Sequence, residues 1–269
     1  MMFLDYIKGN WKSEVKSTEA AVDMWDAMAA QFQEYEIPGK EDLLLQIIEE
    51  EKMIDCNSLV LDLGCGTGRH SIAVSRIAKK VTGIDLSSKM IKFGNENLEK
   101  MKIKNVNLVC EDWSAISINA NNYEKQFDLV YAHMTPAISD FETFQKMISS
   151  SKKHGILVKP SRRKDEISDM VMKIAGLEKD KKIKDESIAF AFGVLFLNGL
   201  NPKMKYKDEI WEISRTYEEA CDMYLNRAKT YKEISNKTDE EIRDFLRTRI
   251  NSEGKIEEKV NTTITAIYW

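Results

Sequence analysis

Between residues 58 and 161, five short and almost wholly apolar runs, SLVLDLG, KVTGID, VNLVCED, FDLVYAH and GILVKPS, are separated by stretches in which apolar residues recur at helical spacing. That alternation builds βαβ units, and strands apolar along their whole length belong in a parallel sheet with helices on both faces. The expected architecture is therefore α/β and doubly wound. Two helices are expected before the first strand. One covers 17–35, with Val22, Trp25, Met28, Ala29 and Phe32 on one face, and stops at Pro38-Gly39. The other covers 41–52, with Leu44, Ile47 and Ile48 together. After Pro160 the pattern predicts helices at 164–175, 186–200, 216–232 and 238–251. Strands are predicted at 208–214 and 258–269, pairing as an antiparallel edge.

With 269 residues, 43% of them apolar and 31% charged, the chain can bury a core in one large domain. A net charge of -4 offers no overall positive field for nucleic acid phosphates. Cys56, Cys65, Cys110 and Cys221 stand singly and read as reduced thiols. The first residues lack the apolar core of a secretory signal, and the most apolar stretch, Ile188 to Leu200, falls short of the roughly 20 residues a membrane span needs. A cytoplasmic protein without membrane contact is expected. No metal ligand set is read from the sequence.

The chemistry is concentrated in Leu59 to Gly68, LVLDLGCGTG, where an apolar strand ends in Asp62 and runs into glycines at 64, 66 and 68 before a helix. Glycine at a strand-to-helix turn permits left-handed backbone angles and close approach of a ligand to the main chain. The next strand ends in Asp85, where a carboxylate can accept from both hydroxyls of a ribose, and the third in Glu111-Asp112-Trp113. A dinucleotide fold wants G-x-G-x-x-G, whereas Arg69 holds the third glycine position and the extra glycine falls one residue early. NAD is disfavoured.

Asp62 to Gly68, then Asp85, Asp112-Trp113 and Phe127-Asp128-Leu129-Val130, in that order, resemble the class I S-adenosylmethionine-dependent methyltransferases. The resemblance covers about residues 20 to 160. It implies a Rossmann-like, seven-stranded, mostly parallel sheet in a single domain, with an N-terminal helical lid (1–52), a cofactor-binding core (53–160) and a C-terminal part (161–269) carrying a helical insertion after strand five. It further implies that the backbone of Gly64, Cys65, Gly66 and Gly68 lies under the methionine part of S-adenosyl-L-methionine. Asp62 then orders the turn or meets the ammonium group, and Asp85 holds the ribose. Leu86 and Met90 contact the adenine, Asp112 accepts from its amine, Trp113 covers its ring or edge, and His133 faces the methyl group. Trp25 to Phe32 is similar to the family's lid helix, aromatic-Asp-x-x-Ala-x-x-Tyr, except that Phe32 lacks the tyrosine hydroxyl. Trp25 and Phe32 are thus expected at the cofactor.

The acceptor side is read from the edge of the sheet. The fourth strand ends in His133-Met134-Thr135-Pro136, which lacks the Asn or Asp followed by Pro-Pro and an aromatic that resembling enzymes use on base amino groups. His133 is the expected general base or pocket-shaping residue, because imidazole titrates near neutrality. Thr135 is expected to touch substrate. His70 is expected to be structural and His154 solvated. Four cations between Lys159 and Lys164 follow strand five, where Arg162 and Arg163 either grip a substrate carboxylate or phosphate or simply line an exposed basic loop. Ile188 to Leu200 covers the sheet, walls the pocket or makes a homodimer contact. The expected activity is methyl transfer to a small anionic or zwitterionic metabolite. The alternatives are an RNA or protein methyltransferase, or a cofactor-binding protein that transfers no methyl.

Overall fold

The structure, a computed structural model, describes residues 2–33, 36–178 and 185–269, the side chains of Met2 and of residues 30–33 excepted. The amino-terminal part is helical, with α1 (Met2–Asn10), α2 (Thr18–Gln33) and α3 (Leu43–Glu50), so three helices precede the first strand where two were expected. β1 (Leu59–Leu63), α4 (Arg69–Ser75), β2 (Lys80–Asp85), α5 (Ser88–Lys100), β3 (Val106–Cys110), β4 (Phe127–His133), α6 (Phe141–Ser150) and β5 (Ser151–Lys164) follow in the expected alternation. The carboxyl-terminal part adds α7 (Glu166–Ile174), α8 (Glu186–Leu197), β6 (Lys203–Thr216), α9 (Tyr217–Tyr231), α10 (Asn236–Arg247) and β7 (Lys255–Tyr268).

The seven strands form one sheet in the order β3-β2-β1-β4-β5-β7-β6, parallel through β5 and antiparallel where β7 enters between β5 and β6. Alternate residues of β4 point to opposite faces and both faces are covered. Val130 and Ala132 join α1, α6 and α8 in one core cluster, while Leu129 and Tyr131 join α3, α4 and α5 in another. Ile188, Phe190, Ala191, Val194 and Leu195 of α8 are buried, but Phe196 and Leu197 at its end are exposed, so the apolar segment covers the sheet along most of its length.

Strand five differs from its expected extent. Its pairing with β4 ends at Val158 opposite His133, yet the chain stays extended through Lys164 because β7 continues alongside it, from Ile156 opposite Tyr268 to Lys164 opposite Asn261. The basic stretch is therefore strand and not loop. β6 is likewise longer than the predicted 208–214. This overhang has its own core, in which Ile167, Val171, Tyr224, Ile242, Leu246 and Ile256 pack together. Within it Arg215 Nη1 donates to Glu258 Oε1 at 2.5 Å and Tyr224 Oη to Glu258 Oε2 at 2.8 Å, all three side chains buried. The outermost strand, β6, carries Lys203 and Lys205, paired at 2.6 and 2.7 Å with Glu51 and Glu50 at the end of α3, and exposes Tyr206 and Ile210. No helix among the described residues is long and apolar enough to cross a membrane.

Candidate active site

The turn after β1 is built as the glycine spacing predicts. Gly64, Gly66 and Gly68 all have left-handed backbone angles, at φ 68°, 54° and 76°. The N–H groups of Gly64 and Cys65 donate to the carbonyl of Ile84, fastening the turn to β2. Gly64 has a second reason to lack a side chain, since a Cβ there would lie 1.9 Å from Thr135 Oγ1. Thr135, expected at the substrate, is thus packed against the loop, its Oγ1 accepting from the Ala137 N–H. A Cβ on Gly66, by contrast, would meet no atom nearer than Met90 Sδ at 4.0 Å.

Asp85 faces this opening. Its Oδ2 accepts from the Gly66 N–H at 2.8 Å and its Oδ1 from the Ser87 N–H at 2.9 Å, and burial raises its pKa above the ordinary value. With the Leu86 N–H as a third backbone neighbour, the carboxylate still has acceptor capacity for a further donor. Ser87 caps α5 and donates its hydroxyl to Asp26 of α2, so α2 sits beside the Asp85 strand end as well as against α9. Trp25, half-buried, lies on that helix; the side chain of Phe32 lies outside the described residues. Leu86 is half-buried and Met90 buried at the start of α5.

Of the two roles open to Asp62, ordering the turn is the one its contacts display. It is buried, and Ser71 Oγ and Tyr131 Oη donate to its Oδ2 at 2.6 and 2.8 Å. Burial outweighs these two bonds and lifts its pKa to about 6. Burial also pushes the Cys65 thiol up, leaving it un-ionised at neutral pH. Trp113 corrects an expectation. Its indole is buried in the core, donates from Nε1 to the Thr143 carbonyl at 3.1 Å, and lies 5.2 Å from the ammonium of Lys146, so it is a core anchor more than an adenine cover. Asp112 is half-buried at the edge and accepts from the Ser114 N–H.

At the end of β4, Met134 adopts a left-handed backbone (φ 54°), an uncommon conformation for a side chain of this size. His133 just before it packs on His70 with ring centroids 4.0 Å apart, and His70 Nε2 lies 3.1 Å from Asp42 Oδ2. Burial, together with the neighbouring His70, lowers the His133 pKa to about 3. The imidazole is therefore neutral throughout the physiological range, and the rate increase near neutrality expected of a general base with an ordinary histidine pKa does not apply to it. Sequence reasoning missed Asp42, which is an ordinary helix cap by its spacing, and set His70 aside.

The two arginines of the basic stretch part company. Arg163 pairs with Asp165 at 2.6 Å and lies 5.4 Å from the Trp211 ring, which commits it to the overhang and corrects its placement at the substrate. Arg162 lies over Tyr206 and lines a cleft of about 400 Å³ with Ser161, Asp185, Ile188 and Phe192. Lys159, counted among the same cations, is separate from both: its ammonium donates to the Ile138 carbonyl, and burial lowers its pKa to about 8.

The methyltransferase-domain family matches residues 54–215. The probable S-adenosyl-L-methionine-dependent methyltransferase TehB of Haemophilus influenzae is 33% identical over 95 residues, covering 35% of this chain and 31% of that protein. The uncharacterized protein MJ1452 of Methanocaldococcus jannaschii is 24% identical over 144 residues, covering 52% and 54%. The match thus spans about a third of the first and about half of the second. In three dimensions the chain resembles the YcgJ protein of Bacillus subtilis (TM-score 0.51, 14% identity, 83% of this chain and 96% of that one). It equally resembles a putative methyltransferase of Bacillus halodurans (0.51, 14%, 86% and 99%). These likenesses concern the fold.

Proposed function

Because the chain belongs to the S-adenosylmethionine-dependent methyltransferase family and has its class I fold, we propose that it transfers a methyl group to a small anionic or zwitterionic metabolite. The observation that carries this reading is the open space over the left-handed Gly66, beside the Asp85 carboxylate to which its N–H is bonded. The missing Cβ leaves room against the main chain, and a half-buried carboxylate with acceptor capacity to spare is available to a donor-rich ligand. That geometry fits the nucleoside and amino-acid parts of S-adenosylmethionine, which supplies an already activated methyl on a sulfonium.

In this reading the protein's residues bind, align and exclude water, which accounts for most of what such a transfer requires. Asp85 accepts from the ribose hydroxyls and the turn at 64–68 presents its backbone. Asp62 holds α4 in place through Ser71, and α2, tied to α5 through Asp26, serves as the lid. Arg162, on its cleft, is the group that would meet an anionic substituent of the substrate.

Isothermal titration with S-adenosylhomocysteine tests this directly. Micromolar binding is expected, none of NAD, and a loss of one to two decades in Asp85→Ala, the value of roughly 1.5 to 3 kcal/mol for hydrogen bonds to a charged group. Unchanged circular dichroism should accompany that loss. Normal binding by Asp85→Ala would place the ribose elsewhere. A metabolite screen scored by S-adenosylhomocysteine release then identifies the acceptor.

A further inference from the structure

Asp42, His70 and His133 are brought together from three separate places: the cap of α3, the first turn of α4 and the last residue of β4. Asp42 Oδ1 is used by the Leu45 N–H, which leaves Oδ2 for His70 Nε2 at 3.1 Å. One donor atom from each of the three side chains lies within 4.8 Å of the other two. His133 makes no side-chain hydrogen bond among the described residues, so a closed hydrogen-bond network does not account for the second imidazole. The cluster is also reachable, with 11% of the His70 side chain and 19% of the Asp42 side chain exposed.

We propose that Asp42, His70 and His133 bind a divalent transition-metal ion of the zinc class, through one carboxylate oxygen and two imidazole nitrogens, with a further coordination position open. Two nitrogens and one carboxylate oxygen, three protein ligands in all, are the donor set of a zinc site that keeps a place for water or substrate. Bonds of about 2.0 to 2.2 Å set tetrahedral donor atoms about 3.4 Å apart. The closest pair, His70 Nε2 and Asp42 Oδ2 at 3.1 Å, must part by about 0.3 Å to reach that spacing, and the His133 nitrogen, within 4.8 Å of both, must draw in. The nearby Arg69 is a like charge that the ion must tolerate, and the Asp42 carboxylate offsets it. The site takes an acceptor whose nucleophilic atom is itself a metal ligand, a thiol, imidazole or hydroxyl. That assignment of the open position rests on the reading that methyl transfer occurs at this edge of the sheet.

The full chain, stripped with a chelator, is titrated with Zn²⁺ and Co²⁺ by calorimetry, and the Co²⁺ form is followed by its visible absorption. One equivalent is expected, with an intense tetrahedral d–d band and no thiolate charge-transfer band. Asp42→Asn, which keeps the helix cap, His70→Gln and His133→Gln should each weaken binding at least tenfold, while His154→Gln and Cys56→Ser leave it unchanged. Absence of binding, a thiolate band that moves the ion to cysteine, or affinity unaltered in His133→Gln overturns the site. If one of these variants fails to fold, the stoichiometry and spectrum of the unaltered chain decide. S-adenosylhomocysteine is titrated in the same samples. If S-adenosylhomocysteine binds while neither metal does, the metal site falls and the methyltransferase reading stands; if a metal binds with the expected pattern while S-adenosylhomocysteine does not, the metal site stands and the cofactor reading falls.

Discussion

Asp62 shows how far burial can move a single group. Its carboxyl titrates at about 6 in the folded chain against an ordinary 3.8, because desolvation outweighs the bonds from Ser71 and Tyr131. A group whose pKa is raised on folding contributes stability that is fully present below its unfolded pKa and lost as pH rises through the folded one. Unfolding free energies of the natural chain and of Asp62→Asn, compared from pH 3.8 to 7, should therefore diverge. The natural chain should lose about 2.5 kcal/mol relative to the variant over that range, from a difference of about two pKa units. A pH-independent difference would mean that Asp62 is ionised as easily in the fold as out of it.

At the scale of elements, the overhang of β5, β6 and β7 is held by a buried ion pair. Removing one partner leaves the other charged and unsolvated, so Glu258→Ala should cost about 3 to 5 kcal/mol, seen as a lower urea midpoint. A loss near zero would show that Arg215 reaches water when Glu258 is absent. Apart from α1, the elements before Pro160 were legible because they signal locally: apolar runs for β1 to β5 and glycines for the turn. The continuation of β5 was not legible. Pro160 and its cationic neighbours look like a loop until β7, about a hundred residues on, supplies the second ladder. The Asp42-His70-His133 cluster escaped for the same reason: none of the three has a motif of its own, and only the packing of α3 and α4 on one face of β4 joins them. Trp113 was misjudged because position at a strand end does not tell which way an indole turns.

At the scale of the whole molecule, a ligand bound only by the fold stabilises all of it. S-adenosylhomocysteine at a hundred times its dissociation constant adds about 2.7 kcal/mol, which should raise the melting temperature by about 5 to 10 °C, with NAD producing no shift. A melting temperature indifferent to S-adenosylhomocysteine would count against the cofactor site. The same sheet that carries the site ends in β6, whose outer side has no neighbour among the described strands. A sheet edge of this kind, with Tyr206 and Ile210 exposed on it, is a template on which another chain could lay its own strand. Lys203 and Lys205, clamped back onto Glu51 and Glu50, set two ion pairs beside that rim, so a second copy approaching edge to edge has charged groups to desolvate. Neutralising those two lysines would leave the fold's interior untouched while exposing it to fibre-like association.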